Sequence, residues 1–431
     1  MRAWVRYIDY DWGRVGSSHM REQHDTIIIG GGQAGLAISY YLRERGLEHL
    51  ILERSRIADR WHSERWDSLA FQFPNWALRL PGFEYSGPNP DAFAHYRDIA
   101  AYVEDYARFI EAPVRCGAEV TQLRQESQSG KFLIDTMNGG FESSKVVVAT
   151  GPFQRPLLPT CAAAFPSRLY QIHASRYLNP DQLPLGAVLI VGSGASGCQI
   201  AEELYQSGRT VYLSVSRHRR APRRYRGRDL TWWLLATRRM DQRIDSFPGR
   251  RMPPSVVITG VNGGHDINVR RFAADGVVVL GRLNGVTDDK LSLGDDAEEI
   301  LAASDKAFID FKRAIDDYIK SAHIDAVHEE IGAVESSDQL SPISTIDLKR
   351  ANINSVVWGT GYAFDYDWLK VPVLDERGAP LQERGVAPCP NLYFLGLHWM
   401  HTFKSGVLFG VGEDAAYLAD RIAATTQERP S

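Results

Sequence analysis

The sequence predicts an α/β fold in which two units of the same design are nested, the second inserted into the first. One arrangement of strand, glycine-rich turn, helix and strand occurs twice, over residues 25–53 and again over residues 188–217. Two runs that end in Thr-Gly, 149–151 and 359–361, each follow an apolar strand. The length of 431 residues also exceeds what one hydrophobic core usually supports, so more than one module is expected.

The first unit begins with the apolar strand 25–29, which runs directly into the turn Gly30-Gly31-Gly32-Gln33-Ala34-Gly35. Apolar residues at helical spacing follow the turn. A second short apolar strand, 49–52, ends at Glu53.

The second unit repeats this order, although not the detailed sequence. Its first strand, 188–191, leads into the turn Gly192-Ser193-Gly194-Ala195-Ser196-Gly197. A helix follows, and the next strand, 210–215, ends at Ser216 and Arg217.

Both turns have the spacing Gly-x-Gly-x-x-Gly, which allows a backbone to approach a pyrophosphate closely. The first glycine makes the tight turn, the second removes a side chain that would face the phosphates, and the third lets helix and strand pack. The helix N-terminus supplies N–H groups and the positive end of a dipole. Because each turn lies between a strand and a helix, the sequence predicts two Rossmann-like dinucleotide-binding domains. The alternative is a pair of glycine-rich turns that bind nothing.

The residues that end the second strand of each unit predict different nucleotides. Glu53 is suited to accept hydrogen bonds from ribose hydroxyls and would repel a 2′-phosphate. Arg217, beside Ser216, would pair with the 2′-phosphate of NADPH, and Arg219 or Arg220 could assist. The first domain is therefore predicted to bind FAD and the second NADPH. We interpret the other arginines nearby as part of a solvated loop, and a nucleic-acid patch is a more remote alternative.

Charge and cysteine usage argue against other classes of protein. The formal net charge of −4 disfavours bulk binding of nucleic acid, because a polyanion would be repelled. The four cysteines, Cys116, Cys161, Cys198 and Cys389, form no Cys-x-x-Cys pair and no metal-ligand cluster, so no metal site is predicted. Scattered thiols suit a reducing cytoplasm. No apolar stretch of the sequence has the length that a membrane span needs.

The domain boundaries are predicted from where these units begin and end. Residues 1–22 are interpreted as an N-terminal extension or tag. The FAD domain is expected over 23–178 together with 340–427, and the NADPH domain over 185–335. Apolar residues at helical spacing predict further helices over 95–112, 297–322 and about 413–424.

The order of these motifs resembles that of the flavin-containing monooxygenase family and its bacterial and plant relatives, the class B flavoprotein monooxygenases. The likeness covers nearly all of residues 24–425 and is most specific over residues 165–177. There the family pattern of Phe-x-Gly, a histidine and an aromatic residue four positions on is matched by Phe165, His173 and Tyr177. A serine replaces the glycine, and the spacing to the histidine is longer. The resemblance implies catalytic roles for His173 and Tyr177. A tyrosine at the position of Tyr177 is typical of the branch of the family that oxygenates heteroatoms. The alternative for His173 is a structural histidine, or a hinge, between the domains.

A second matching stretch contains Trp61 and residues 65–74. In relatives this segment lies over the flavin, with an asparagine or a histidine at the place of Gln72. The resemblance implies that Gln72 acts near the reactive edge of the flavin, since its amide both donates and accepts hydrogen bonds. The alternative is a buried loop glutamine.

The closing segment, residues 393–412, resembles the last FAD-binding stretch of the family. A helix start there would direct N–H groups at the flavin. The resemblance implies that His398, Trp399 and His401 border the substrate cavity, with a packing role as the alternative for some of them. Besides the two glycine turns, Glu53, Ser216 and Arg217, cofactor contacts are expected from Arg54, Trp61, Thr150, Gly151, Gly361 and Ser405.

The resemblance implies an NADPH-dependent flavoprotein monooxygenase that uses a C4a-hydroperoxyflavin to oxygenate a small organic molecule at nitrogen or sulfur. Its reaction partners would be that molecule and O2, and a homodimer is left open. Baeyer–Villiger or decarboxylative oxygenation is an alternative within the family. An NADPH oxidase or reductase of the same fold is another alternative, and a non-catalytic flavin-binding regulator is the third.

Overall fold

The computed structural model describes residues 21–248, 252–330 and 340–427. The predicted extension, residues 1–22, lies outside the described residues except for its last two. Those two belong to the fold: the first strand begins at Glu22, and the Arg21 guanidinium donates to Asp135 at 2.6 Å. The folded part therefore begins before the predicted boundary at residue 23.

The first unit is built on a seven-stranded sheet. In spatial order six of its strands are Val114–Arg115, His49–Leu52, Glu22–Ile29, Gly139–Val148, Phe132–Thr136 and Val120–Gln125, and Leu392–Phe394 also pairs with Gly139–Val148. The strand Glu22–Ile29 has a parallel neighbour on each side, and Ile27 and Ile28 are fully buried. This burial explains its continuous apolar run, because strands inside a parallel sheet are covered on both faces.

The second unit is built on a sheet of five parallel strands. In spatial order they are Tyr170–His173, Ile353–Trp358, Ala187–Val191, Val211–Ser214 and Val278–Leu280. The predicted boundaries assigned the strands Tyr170–His173 and Ile353–Trp358 to the FAD domain. The structure differs, because Ile353–Trp358 forms its hydrogen bonds with Ala187–Val191 and thereby brings Tyr170–His173 into the second sheet. The second unit thus extends beyond residues 185–335 on both sides.

Helices cover the faces of these two sheets. The α-helices of the described residues are Gln33–Glu44, Asp59–Ser63, Tyr96–Phe109, Ala195–Gln206, Leu230–Ala236, Val269–Ala274, Ala297–Ser321 and Val411–Gln427. The three helices predicted from apolar spacing alone are confirmed, with ends that differ by up to three residues.

Smaller sheets complete both units. Three-stranded sheets are formed by Leu283–Thr287, Lys290–Leu293 and Thr345–Asp347, and by Arg219–Arg220, Val256–Thr259 and His265–Asp266. Two-stranded pairs join Arg155–Pro156 with Tyr362–Ala363, Arg79–Leu80 with Phe83–Glu84, and Arg224–Tyr225 with Arg228–Asp229. The first main sheet packs in one cluster of buried apolar side chains, and the two faces of the second main sheet pack in two further clusters, as expected for two modules.

The arginine-rich segment after Ser216 is folded into the second unit. Arg220 pairs with Asp266, Arg223 with Asp229 and Arg226 with Asp316, at 2.9, 2.8 and 2.9 Å. These three arginine side chains are mostly buried, with exposed fractions of 13%, 2% and 17%. The interpretation as a solvated loop is therefore wrong for Arg223, because Asp229 compensates its burial.

Arg223 also joins the two units. Its Nη1 donates to the Gln72 carbonyl at 2.6 Å, and its guanidinium lies 4.1 Å from the centre of the Phe93 ring. Both residues belong to the first unit. Phe93 packs against Gly260 and Gly264 of the second unit so closely that a Cβ at either glycine would clash with it. The loop that carries Gln72 is therefore held against the second unit.

Within the described ranges, none of the helices combines the length and the apolar character that crossing a membrane requires.

Candidate active site

The first glycine turn shows a separate reason for each of its three motif glycines. Gly30 has a φ of +109°, and a Cβ there would lie 2.6 Å from the Ala149 carbonyl oxygen. A Cβ at Gly35 would overlap the Gly30 carbonyl oxygen. Gly32, in contrast, faces open space, with no atom within 4 Å of the place a Cβ would take. The turn is thus closed on the side of the sheet and open above Gly32.

The second turn repeats this geometry. Gly192 has a φ of +105°, and a Cβ there would lie 2.5 Å from the Gly359 carbonyl oxygen. A Cβ at Gly197 would overlap the Gly192 carbonyl oxygen, whereas Gly194 faces open space. The helices that follow, from Gln33 and from Ala195, both begin without a side-chain cap. Each turn therefore offers unsatisfied N–H groups beside an open glycine, which is the surface that a pyrophosphate needs.

The residue at the tip of the following strand contacts each turn. The Gly31 N–H donates to Glu53 Oε2 at 2.7 Å, and the Ser193 N–H donates to Ser216 Oγ at 3.4 Å. The first turn therefore lies beside a carboxylate and the second beside a neutral hydroxyl. Ser193 Oγ additionally donates to the Ser216 carbonyl at 2.8 Å, which fixes the end of the strand to the turn.

Arg217 follows directly and is exposed. It forms no ion pair with any of the residues that the structure describes, whereas the neighbouring Arg282 pairs with Asp296 at 3.2 Å. Arg219 lies in the same region, and its Nε donates to the Pro254 carbonyl at 3.0 Å. Burial lowers the pKa of the Arg219 guanidinium. Arg220 is paired with Asp266 instead, so it does not point to a phosphate.

Both glycine turns open into one cavity of about 1240 Å³. Of the predicted site residues, those that line it are Gly30, Gly32, Gln33, Ala34, Glu53, Arg54, Trp61, Gln72, Thr150, Gly151, His173, Gly192, Gly194, Ala195, Ser196, Ser216, Arg217, Gly361, His398 and Trp399. Gly35 and Gly197 lie behind the turns, where their role is close packing. Among the described residues, no group of three or more potential metal ligands is present.

Two side chains hold the Thr-Gly runs that border the cavity. Gln154 Nε2 donates to Thr150 Oγ1 at 3.0 Å and to the Gly151 carbonyl at 2.8 Å. His173 Nε2 donates to the Gly361 carbonyl at 3.0 Å, and its Nδ1 accepts from the Ser175 N–H at 3.1 Å. Both ring nitrogens of His173 are therefore engaged, and burial lowers its pKa. The neutral ring therefore joins the sheet to the Thr-Gly run at residues 359–361, as expected of a structural histidine.

Tyr177 lies away from the cavity. Its side chain is fully buried in the core of the second unit, and its hydroxyl donates to Glu203 at 2.6 Å. A tyrosine in this position contributes packing and one hydrogen bond, and it is not part of the cavity wall. The predicted catalytic role of Tyr177 therefore finds no support in this geometry.

Gln72 does line the cavity, on the loop that Arg223 holds. Its Nε2 approaches the Ile258 carbonyl at 3.4 Å, a long contact that leaves the amide free to exchange partners. Gln199 donates to the same carbonyl at 2.7 Å and also lines the cavity. The two amides therefore meet at one carbonyl in the cavity wall.

The closing segment contributes only part of what was predicted from it. His398 faces the cavity, its ring lies 5.0 Å from that of Phe153, and burial lowers its pKa. Trp399 stacks on Phe403 at 5.0 Å. His401 is not part of the cavity wall. Ser405 is fully buried and accepts hydrogen bonds from the His401 and Thr402 N–H groups, so it fixes the loop and its side chain does not face the cavity.

Three lining residues were missed by the sequence reasoning. Arg65, Gln154 and Tyr362 carry no motif of their own, and their importance comes from contacts that only the fold creates. A sequence signal existed for Arg65 alone, because it belongs to the stretch that resembles the family, but nothing there distinguishes it from a surface arginine.

Comparisons with known proteins agree with this geometry. Residues 27–236 match the family model described as pyridine nucleotide-disulphide oxidoreductase. An uncharacterized CzcO-like oxidoreductase of Geobacillus kaustophilus is 35% identical over 402 residues, which cover 92% of this chain and 98% of the relative. A probable indole-3-pyruvate monooxygenase of Arabidopsis thaliana, YUCCA1, is 32% identical over 209 residues, 46% of this chain and 49% of that protein. A solved flavin-containing monooxygenase from Stenotrophomonas maltophilia has the same fold, with a TM-score of 0.64 at 19% identity, covering 94% of this chain and 99% of that chain.

The fold and the two matched turns define a flavin-dependent oxidoreductase with two nucleotide sites. The chain belongs to the same family as the CzcO-like oxidoreductase, to which it is similar over nearly its whole length. Its fold is that of the solved flavin-containing monooxygenase, which supports the resemblance to that family. The predicted fold class, two nested Rossmann-like domains, is confirmed, and so is the predicted class of enzyme.

Proposed function

We propose that the chain is an FAD- and NADPH-dependent monooxygenase that transfers one oxygen atom from O2 to nitrogen or sulfur of a small organic molecule. The supporting observation is that both glycine turns open into the same cavity, so that two nucleotides bound there can meet. The overall reaction consumes substrate, O2, NADPH and one proton. It releases oxygenated substrate, NADP⁺ and water.

The cofactors are FAD at the first turn and NADPH at the second. Gly32 and the uncapped helix from Gln33 hold the FAD pyrophosphate, and Glu53 accepts hydrogen bonds from its ribose. Gly194 and the helix from Ala195 hold the NADPH pyrophosphate. Arg217 pairs with the 2′-phosphate, for which the neutral Ser216 leaves room.

Bound FAD supplies the oxygen activation, by the flavin route that the family resemblance implies. The chain itself positions the two nucleotides and keeps water out. The Gln72 loop closes one side of the cavity, and Arg223 holds it in place. The Gln72 amide donates a hydrogen bond within the cavity, and Trp61 and Trp399 form apolar parts of its wall. Exclusion of water matters because exposure of an activated oxygen species favours release of H2O2 over transfer to substrate.

The proposed function defines the reaction partners, and the cysteines bear on the location of the protein. The partners are O2 and a small-molecule substrate. A cytoplasmic location is supported by the four cysteines, all of them free, because unpaired thiols suit a reducing compartment.

A stopped-flow experiment tests the proposal. Reduced enzyme mixed with NADP⁺ and O2 should show a transient flavin absorbance before oxidised flavin returns, and its lifetime should shorten without NADP⁺. Gln72→Ala should shorten it as well. A true substrate should speed the decay and lower the yield of H2O2. One-step reoxidation with full H2O2 release, under every condition and with every nitrogen and sulfur compound tried, would instead establish an NADPH oxidase.

A further inference from the structure

The cavity wall contains a guanidinium that no carboxylate of the described residues balances. Arg65 follows the short helix Asp59–Ser63 and lines the cavity. Its Nη1 donates to the Glu64 carbonyl oxygen at 2.7 Å, and the guanidinium lies 4.7 Å from the centre of the Trp61 ring. Neither partner is an anion. Among the described residues Arg65 therefore has no ion-pair partner, and its charge is stabilised by a carbonyl dipole, an aromatic face and the longer-range attraction of Glu64.

The acidic groups around Arg65 are already engaged with other cations. Asp59 pairs with Arg56 at 3.2 Å, Glu64 with Arg60 at 3.0 Å and Glu104 with His62 at 2.7 Å. Burial lowers the pKa of Arg65, because desolvation disfavours its charged form. Since a guanidinium stays protonated, the site carries an uncompensated positive charge in a poorly solvated place. An anion that enters the cavity would gain an ion pair there without displacing an existing one.

Aromatic rings connect this charge with the predicted substrate region. Tyr362 lines the cavity as an electrostatic neighbour of Arg65, and its ring lies 5.0 Å from that of Phe153. The Phe153 ring in turn lies 5.0 Å from that of His398, and Phe153 is 39% exposed as a residue. Arg60 donates to the Phe153 carbonyl, which fixes the backbone of that residue. The wall thus offers one cation next to an uncovered apolar surface.

We propose that Arg65 binds the carboxylate of an anionic substrate whose apolar body packs on Phe153 and Tyr362. The proposal names a substrate class for the proposed monooxygenase and rests on that function. The phosphates of the two cofactors would have their own contacts at Gly32 and at Gly194 with Arg217, and Arg65 belongs to neither turn. A carboxylate fits the planar donor face of a guanidinium, so the pair would also orient the oxidisable atom on the body of the substrate.

The test uses the holoenzyme and two probes of the same shape, para-(methylthio)benzoate and its neutral amide, para-(methylthio)benzamide. Binding is measured by calorimetry with NADP⁺ present, and turnover by sulfoxide formation. The wild type should bind the carboxylate about tenfold to a hundredfold more tightly than the amide, the range expected for one charge-assisted contact. Arg65→Met should remove this ratio, and Arg65→Lys should retain part of it. Flavin content and the KM for NADPH should stay unchanged.

The matched control is Arg56→Met, which removes the same charge from the same segment at an exposed position outside the cavity wall. It should keep the wild-type ratio. Equal affinities of the wild type for both probes would overturn the proposal. A loss of flavin or a raised NADPH KM in Arg65→Met, with the probe ratio intact, would overturn it as well and assign Arg65 to a cofactor phosphate. Preferential binding of the carboxylate without any sulfoxide would leave the anion site standing and contradict the monooxygenase function.

Discussion

The two glycine turns share one backbone design and differ in the charge placed beside it. In both, the N–H of the second residue donates to the side chain at the tip of the next strand, Glu53 in the first unit and Ser216 in the second. The open glycine and the two closely packed glycines also correspond. The shared geometry explains why each turn suits a pyrophosphate. The first turn lies beside the Glu53 carboxylate, whereas the second lies beside the Ser216 hydroxyl and Arg217. This difference in charge explains why we expect the two turns to bind different nucleotides.

The largest effect should come from filling the open glycine of each turn. Gly32→Val places a side chain where the FAD pyrophosphate would lie, so the purified protein should lose its flavin absorbance, even after added FAD. Gly194→Val should keep the flavin but abolish its reduction by NADPH in an anaerobic titration. Both variants should fold, because neither Cβ has an atom within 4 Å.

The control is Gly285→Val, a third glycine with open space around its Cβ position, located in the strand Leu283–Thr287 outside the cavity wall. It should retain flavin and NADPH reduction. If Gly194→Val also loses flavin, the two turns are not independent sites and the comparison between them fails.

The next largest effect should distinguish two arginines of the second unit. Arg223 and Arg226 both pair with an aspartate, but only Arg223 also donates to the Gln72 carbonyl of the first unit. Arg223→Lys replaces the guanidinium nitrogens that contact Asp229 and the Gln72 carbonyl with a single ammonium group and should free the loop at residues 69–73. Amide hydrogen exchange there should therefore accelerate, and more H2O2 should form per NADPH consumed. Arg226→Lys should lower the Tm and leave both readouts as in the wild type. Matching exchange rates in the two variants would contradict a specific role of Arg223 in holding the loop.

A smaller effect is expected at the strand tip of the second unit. Arg217→Ala should raise the KM for NADPH by the loss of a charge-assisted contact of about 1.5–3 kcal/mol and leave the KM for NADH nearly unchanged. Ser216→Glu copies the first site and should weaken NADPH in the same selective way. Arg228→Ala, at an exposed arginine outside the cavity wall, is the control. Equal changes for both nucleotides would show that Arg217 does not recognise the 2′-phosphate.

The turns could be predicted from the sequence because their function depends on local spacing. Three glycines at fixed intervals between a strand and a helix determine where the helix begins, so Gly32 and Gly194 were located without the structure. Tyr177 and Ser405 were predicted by likeness to a family pattern, and the structure places both side chains in buried packing positions instead. A pattern of residue types does not show which way a side chain points.

Contacts between distant segments could not be predicted from the sequence. The strand Ile353–Trp358 lies within the second segment predicted for the first unit, residues 340–427, yet its hydrogen bonds are with Ala187–Val191. Likewise, nothing local indicates that Arg223 donates to the Gln72 carbonyl and contacts Phe93. Such pairings depend on the global arrangement of the sheets, whereas hydrophobic periodicity reports only which face of an element is buried.

The smallest effect concerns how pH acts on the two units through one histidine in each. In the first unit, His49 is buried and its Nε2 accepts from Ser39 Oγ at 2.7 Å, and burial lowers its pKa below the ordinary 6.5. In the second unit, a hydrogen bond from His265 Nε2 to Glu202 at 2.7 Å raises the pKa of His265 above 6.5.

The two histidines should therefore stabilise the fold in opposite pH ranges. His49 favours the neutral ring, so its contribution is present above its unfolded pKa and is lost as the pH falls toward the lowered value. His265 favours the charged ring, so its contribution is complete below its unfolded pKa and is lost as the pH rises through the raised value. His265→Gln should consequently lower the Tm, relative to the wild type, by more at about pH 6 than at about pH 8.5. The difference between the two pH values should be no more than about 2 °C, because the pair is partly exposed. The deficit of His49→Gln should change in the opposite direction, which thermal scans of both variants at the two pH values would measure. If both variants lost more Tm at the same pH, the two units would not differ in how pH affects their stability. The contrast between the two units would then apply to nucleotide recognition alone.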